Sequence, residues 1–480
     1  MESAKLAGLE PASFFQYFEE ISAIPHGSGN TKAISDYLVS FARKHGLRFI
    51  QDPLNNVILF QDGTCGMEDH DPLILQGHMD MVCEKDADCP IDMATQGLDL
   101  THDGEYVFAR GTTLGGDDGI SIAYALALLA DPSIPHPPLE VIFTVDEETG
   151  MYGATDIDLS MLKGRRLINL DTECEGLFTA GCAGGVKSTL SLPLNRKPVY
   201  GPCVKLTVDA LQGGHSGSDI KRKRANACKI MGILLDRVQK LFPISISSLQ
   251  GGAKNNAIPR SCTVTFVALG MYIERINEIT AQLEQELRAN FDEPYAIVSG
   301  DDVDALGANA LSAEDSAKVI KLLNTVPNGI QAWSPDMEDM VQTSLNLGIL
   351  NLGENLTLQF ALRSSVTDEK LALAQQLKTI AQEFGADYSQ MGEYPAWEYR
   401  ADSPLRETMV SVYRQMYGTE PRISVIHAGL ECGILGSKLP GLDCISMGPS
   451  VRDVHTSRER MDIASVGRTW NYLQELLKAL

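Results

Sequence analysis

The sequence predicts an α/β domain, a mainly parallel sheet sandwiched by helices, interrupted by an inserted α+β domain. Three observations carry that expectation. Continuous apolar runs alternate with helix-spaced segments over the first 185 residues, polar/apolar alternation takes over from about Val186, and the first pattern returns after roughly Trp397. A parallel sheet covered on both faces reads as unbroken apolar strands, whereas a sheet covered on one face alternates. A chain of 480 residues also exceeds what one hydrophobic core normally organises, which favours two domains. The expected division is 1–186 with 398–480 for the domain built from both chain ends, and 187–397 for the insert.

The elements follow in order. ASFFQYFEEISAI (12–24) and TKAISDYLVSFARKHG (31–46) carry apolar residues at helical spacing, the second opening beside Asn30 as a cap and closing at Gly46. NVILF (56–60), PLILQGHMDMV (72–82), LEVIFTVDEE (139–148) and RLINLDTE (166–173) read as strands, and GISIAYALALLAD (119–131), apolar nearly all round, reads as a buried helix. In the insert, VKLTVDAL (204–211), SCTVTFVALG (261–270) and ENLTLQFALRSS (354–365) alternate, with amphipathic segments at 274–291 and 368–385 between and after them. Strand, helix and strand recur there, which suggests a doubled subdomain. The chain closes with helix SPLRETMVSVYRQMYG (403–418), strand DCISMG (443–448) and helix IASVGRTWNYLQELLKAL (463–480).

Composition narrows the function. With 63 Asp plus Glu against 40 Lys plus Arg, the net charge of −23 repels nucleic acid and acidic membranes and favours the capture of cations. The basic run KRKR at 221–224 is too short to offset this. The ten cysteines form no CxxC pair, MESAKLAGLEPASFF is not a secretory signal, and no apolar run approaches a membrane span, so a cytoplasmic protein with reduced thiols is expected.

Ligands of α/β sheets bind beyond the carboxyl ends of the strands, and each apolar strand here stops at acids or a histidine. QGHMD offers His78 and Asp80, TVDEE offers Asp146, Glu147 and Glu148, INLDTE offers Asp171 and Glu173, and VRDVHTSRE offers His455. GTTLGGDDG adds Asp117 and Asp118, either of which could instead cap the following helix. One strand-end Asp is ordinarily a turn former, and a lone His ordinarily a hydrogen-bonded surface residue. Several carboxylates converging on one sheet edge repel one another, so a positive charge is expected among them. Imidazole with carboxylate suits zinc, manganese or cobalt, and the number of donors suits two ions sharing a carboxylate. His78 and Asp80 share a strand face, so Asp80 can accept the second ring N–H of a ligating His78. Of Glu147 and Glu148, one can bind metal while the other takes a proton from water.

The set GHMD, GGDDG, DEETG, NLDTE and VHTSRE resembles the di-zinc exopeptidases and deacylases. More narrowly, ARGTTLGGDDGI, CAGGV, GGHSG, NAIPR, TSLNLG, IHAGLECG and SMGP resemble the aminoacyl-histidine dipeptidases, in order from about Ile24 to Leu477. The resemblance implies two divalent metal ions, zinc first with manganese or cobalt sharing the same ligands. His78, Asp117 and Asp171 would bind one, and Asp117, Glu148 and His455 the other, with Asp117 as bridge and Asp118 beside the site. Many relatives carry Lys two residues after the bridging Asp, where this chain has Gly119, as the dipeptidase branch does. Asp80 would orient His78, and Glu147 would be the general base for a water between the metals.

The resemblance also makes the insert a lid that contributes substrate-binding groups. His215 in GGHSG would contact the scissile carbonyl oxygen, while Asn256 in NAIP and Arg363 in ALRSS would grip the substrate carboxylate. His427 and Glu431, four apart in IHAGLECG, would face the free amine, with a plain packing role as the competing reading. His26, His45, His70, His102 and His136 lack a partnered motif and read as structural. The expected activity is hydrolysis of unblocked dipeptides, Xaa-His and β-alanyl-histidine among them. An N-acyl amino acid deacylase and a non-catalytic metal- or peptide-binding homologue are the competing readings. The expected partner is a small dipeptide, with no nucleic acid and no membrane; a homodimer through the lid edge is compatible with the pattern.

Overall fold

Leu73–His78 is buried at all six positions, as an apolar run inside a sheet covered on both faces must be. The structure, a computed structural model, describes residues 5–268, 273–335 and 337–480. This strand pairs in parallel with Leu139–Thr144 on one side and Arg166–Asn169 on the other, and the latter pairs in parallel with Asp443–Ser446. The sheet continues antiparallel, through Val57–Gln61 to Arg48–Gln51 at one side and through Leu177–Cys182 at the other, with Arg422–Ile426 outermost. The sheet is therefore mixed, with a parallel centre, and the strands that end in acids and His78 lie in that centre.

Helices bury their apolar faces against this sheet. Lys32–His45 ends where expected, with Gly46 in the left-handed region at φ 69°. Its start differs: Thr31 stands at the cap without a side-chain bond, and the Asn30 amide donates instead to the Ala94 carbonyl at 3.0 Å. Gly116–Ala130 begins earlier than its apolar run, so that it takes in Asp117 and Asp118, both with non-helical backbone angles. Tyr124 from this helix meets Phe14 at 4.5 Å between ring centroids and stacks on Trp470 of the terminal helix Ile463–Ala479 at 5.9 Å. A small four-stranded sheet joins Val451–Arg452, Arg460–Asp462, Tyr106–Ala109 and Leu100–His102, and so fixes the base of the loop that carries His455.

The chain forms two compact units. One comprises Met1–Cys182, Tyr399–Val425 and Leu430–Leu480, and the other Ala183–Glu398 with Ile426–Gly429. The segment Ile426–Gly429, expected with the chain ends, thus clusters with the insert. The second unit has its own core under a nine-stranded sheet in which Ile297–Val303, Cys203–Asp209, Cys262–Ala268 and Ile244–Gly251 are followed by Val341–Leu352, Asn355–Ser364, Gly184–Pro193 and Asp387–Tyr394. Gly329–Trp333 pairs beside Val341–Leu352. Its two four-stranded runs meet at a short seam, Gln250 opposite Asn351 and Gly251 opposite Leu350. Burial alternates along Cys203–Asp209, as the sequence pattern requires of a sheet covered on one face. The strand expected over 261–270 is observed as Cys262–Ala268; Leu269 and Gly270 lie outside the described residues. No described helix is long and apolar enough to cross a membrane.

Gly77 shows how tightly the strand tip is set. A Cβ there would stand 1.9 Å from Ser121 Oγ and 2.3 Å from Asp118 Oδ2. Gly77→Ala is expected to lower stability by about 1–3 kcal/mol, as overpacking does. Thermal unfolding checks this, and an unchanged midpoint would contradict the packing described.

Candidate metal centre

His78 closes its strand with both ring nitrogens committed. Nδ1 lies 2.9 Å from the Asp80 main-chain carbonyl, an acceptor only, so this nitrogen carries a proton and Nε2 keeps the lone pair in the neutral ring. That Nε2 faces Asp117 Oδ1 at 3.1 Å and Asp171 Oδ1 at 4.0 Å. The other oxygen of Asp117 faces His455 Nε2 at 3.1 Å, and the same nitrogen lies 2.8 Å from Glu148 Oε1. Asp117 therefore stands between the two histidines, one oxygen toward each.

Asp80 meets the His78 ring through both main chain and side chain: its carbonyl lies 2.9 Å from Nδ1, and its carboxylate Oδ1 pairs with the same nitrogen at 3.6 Å. The carboxylate also fixes the acidic turn: Oδ1 accepts from the Glu147 N–H at 3.0 Å, and Oδ2 accepts from the Glu148 N–H at 3.4 Å and from Ser28 Oγ at 2.7 Å. That turn follows Leu139–Thr144 through Asp146 in the left-handed region at φ 54°, with Asp146 Oδ1 accepting the Gly29 N–H at 2.6 Å. Ser28 and Gly29 were not singled out in the sequence, because a turn that braces another turn has no periodicity. Asp118 lies beside the site as expected, almost wholly buried, its Oδ2 accepting the His78 N–H at 3.0 Å.

The electrostatics call for a cation. Among the described residues no Lys or Arg pairs with these acids. Burial, reinforced by Glu431, Glu148 and Asp117 and opposed by His78, raises Glu147 to about 8. Burial also lifts Asp171 well above the carboxylate range, helped by Asp117 and Asp118, and lifts Glu173 to about 7. Hydrogen bonding to Asp117 and Glu148 raises His455 to about 11 against the pull of burial. Against burial, hydrogen bonds from His455 and His78 hold Asp117 below the usual carboxylate range, and the acids around it are balanced by protons they would not ordinarily hold near neutrality.

The donors fit two metal ions. Two ligands each about 2.0–2.2 Å from a zinc ion at the tetrahedral angle stand about 3.3 Å apart, close to the 2.8 and 3.1 Å separations around Asp117, His78, His455 and Glu148. Three overlapping donor groups have their atoms within 4.8 Å of one another: His78, Asp118 and Asp171; His78, Glu147 and Glu148; Asp117, Glu148 and His455. The first brings Asp118 to the position expected of Asp117, yet Asp117 is the acid whose two oxygens face two different histidines.

Glu431, in the same unit, is 1 % exposed, and its Oε2 accepts from Gln76 Nε2 at 2.5 Å and Thr144 Oγ1 at 2.6 Å. It supports the strand ends from within through this oxygen, while Oε1 is buried with no hydrogen-bond partner among the described residues. His427, expected to share an amine site with it, belongs to the second unit, where Nε2 pairs with Ser344 Oγ at 2.7 Å and burial beside Arg363 lowers it to about 3.

The second unit gathers the remaining expected groups. His215 Nδ1 accepts the N–H groups of Gly217 at 3.3 Å and Ser218 at 3.2 Å, so the ring proton sits on Nε2. Burial and the Arg363 charge lower this imidazole, which keeps it neutral near pH 7. The short pairing of His215 with Ala257 sets it beside the NAIP turn, where Ser216 N–H donates to the Asn256 carbonyl at 2.8 Å. Asn256 and Arg363 line one cavity of about 420 Å³ with Asn255, Lys187, Lys254 and Tyr394. Arg363 donates to the Tyr394 hydroxyl at 3.0 Å. Asn346 of TSLNLG donates to the Asn255 and Ala257 carbonyls at 3.0 and 2.8 Å and so braces the turn. Nothing in the sequence signals the Tyr394 and Asn346 contacts, because their partners are distant along the chain.

The family described as peptidase family M20/M25/M40 matches residues 74–479. The chain is 34% identical over 483 residues to the cytosol non-specific dipeptidase of Escherichia coli (strain K12), covering 99% of each. It is similar to the crystal structure of aminoacylhistidine dipeptidase from Vibrio alginolyticus, with 35% identity, a TM-score of 0.91, and coverage of 99% of this chain and 98% of that one. Aminopeptidase PepT from Bacillus cereus shares the fold at 14% identity and a TM-score of 0.57, over 98% of this chain and 99% of that one. A family match across most of the sequence, joined to end-to-end similarity with one such relative, means that the chain belongs to peptidase family M20/M25/M40.

Proposed function

We propose that this protein is a cytosolic metal-dependent dipeptidase that cleaves unblocked dipeptides, with a preference for a C-terminal histidine. The observation that carries the reading is Asp117, with one oxygen toward His78 and the other toward His455, beside a Glu147 raised to about 8. The names of the Escherichia coli and Vibrio alginolyticus relatives, a dipeptidase and an aminoacylhistidine dipeptidase, support the substrate class.

In this reading His78, Asp117 and Asp171 hold one divalent ion and Asp117, Glu148 and His455 the other, with zinc first and manganese or cobalt sharing the ligands. Bound there, the ions polarise the scissile carbonyl and lower the pKa of water. Glu147 takes the proton of the attacking water and passes it to the leaving amine, a task suited to a carboxylate tuned toward neutrality. Asp80 keeps Glu147 aimed by accepting its N–H. His215, with its proton fixed on Nε2, donates to the developing oxyanion. Arg363 and Asn256 hold the substrate carboxylate, for which a guanidinium fork is suited.

An N-acyl amino acid deacylase would use the same acids and histidines. Assaying alanyl-histidine and β-alanyl-histidine against an acetylated amino acid separates the two: turnover of the dipeptides is expected, and turnover of the acetylated compound alone would sink the dipeptidase reading. Glu147→Gln is expected to lower kcat by about 10²–10⁴ while the bound metal content stays the same. Retained turnover would reject Glu147 as the base.

The acids also predict how the metal-free protein responds to pH. Glu147 near 8 and Glu173 near 7, against a usual 4.5, hold protons in the folded chain that the unfolded chain has lost. Below about pH 6.5 His26, His136, His215 and His427, lowered by burial, act the other way, so the folded chain binds more protons between about pH 6.5 and 8. The raised His455 acts in the same direction above pH 6.5. Stability should therefore fall as pH rises through that window. Adding zinc or cobalt should remove the slope and raise Tm by roughly 3 °C per ion at about 100 times its Kd. Calorimetry of the metal-free and loaded protein from pH 6.5 to 8 reads both, and a metal-free Tm that climbs with pH there would contradict the charge balance described.

A further inference from the structure

Glu459 lies four residues after His455 and is 2 % exposed. A carboxylate so buried needs compensation, and its hydrogen bonds come from main-chain donors. Oε2 accepts from Leu114 N at 2.8 Å and Gly115 N at 3.1 Å; Oε1 accepts from Gly116 N at 2.8 Å and Asp117 N at 3.3 Å. Four successive N–H groups thus converge on one side chain, 343 positions from Gly116 along the chain.

The path of residues 114–117 is shaped for this contact. Gly115 caps the Gly116–Ala130 helix with φ 68°, and a Cβ on Gly116 would come within 3.1 Å of Glu459 Oε1. No side chain near the start of this helix caps it locally, and Asp117 and Asp118 are held in non-helical angles. The unpaired N–H groups that any helix start exposes are answered here by Glu459. The same residue sits on the loop that presents His455, whose base is closed by the pairing of Val451–Arg452 with Arg460–Asp462. Glu459 therefore ties together the two segments that bring Asp117 Oδ2 and His455 Nε2 to 3.1 Å.

We infer that Glu459 is a positioning residue that sets the spacing between Asp117 and His455, and through it the affinity of the cation site those two form with Glu148. The inference rests on the reading of Asp117 and His455 as metal ligands. Glu459→Gln keeps the size of the side chain but offers one carbonyl oxygen and turns an NH₂ toward two N–H donors, so half of the cradle is lost.

The test is a cobalt titration of the metal-free full-length protein, followed by calorimetry and by visible absorption, for wild type, Glu459→Gln, Asp117→Asn and Val466→Ala. Val466 is buried in the core of the same unit, and its truncation supplies a destabilised control. The expected result is two ions bound by wild type and by Val466→Ala, with one site weakened by about 10–100-fold in Glu459→Gln. Wild-type affinity at both sites in Glu459→Gln would overturn the inference, as would an equal loss in Val466→Ala. Failure of the ligand reading is separate: wild type would bind no cobalt, or Asp117→Asn would bind it undiminished. Should Glu459→Gln not fold, amide hydrogen exchange on the metal-free wild type decides. Amides 114–117 should be protected like those of Leu73–His78, and exchange at the rate of an open loop would overturn the inference.

Discussion

The arrangement turns on one carboxylate held between two imidazoles. Asp117 faces His78 and His455 at 3.1 Å each, with Asp118, Asp171, Glu147 and Glu148 packed around it. Anions this close and this buried raise one another's affinity for protons, and the fold pairs them with no lysine or arginine among the described residues. What keeps the cluster together is the rigidity of its supports. A parallel sheet centre delivers His78, the turn with Glu147 and Glu148, and Asp171 to one edge, and the small four-stranded sheet delivers His455.

Each segment that carries a proposed ligand is also gripped from behind through its main chain. Asp118 takes the His78 N–H, Asp80 takes those of Glu147 and Glu148, and Glu459 takes those of residues 114–117. Carboxylates thus serve two purposes in this unit. In the proposed reading those facing inward offer oxygen atoms to a cation, and those behind them use theirs to hold backbone N–H groups in place. This division explains why an acid-rich sequence can place so many carboxylates near one point without leaving the backbone free to move them apart.

Much of this could be read from the residues alone. A buried apolar strand that ends in His78 and Asp80 has few ordinary explanations once neighbouring strands end in Asp171 and in Glu147 and Glu148. The supports were harder to see, because a side chain that accepts main-chain N–H groups needs no partner motif; Glu459 was read only as part of the string around His455. Strand alternation places Asp80 at the imidazole, where its carboxylate stands 3.6 Å from Nδ1, but gives no sign that the same carboxylate also takes the N–H groups of the acidic loop. The visit of Ile426–Gly429 to the second unit had no signature either, since four residues are too few to shift a compositional pattern. In the second unit, alternation revealed the strands but not that Asn346 braces a turn about 90 positions away.

The fixed tautomer of His215 has a wider meaning for how protons are handled. With Nδ1 occupied by the Gly217 and Ser218 N–H groups, the ring can give a hydrogen bond from Nε2 but has no free basic nitrogen with which to exchange a proton. A histidine in that state is a permanent dipole rather than a shuttle. In the proposed reaction the whole traffic of protons, from the water that enters to the amine that leaves, then passes through a single carrier, Glu147, and each catalytic cycle must return that one carboxylate to its starting charge before the next can begin.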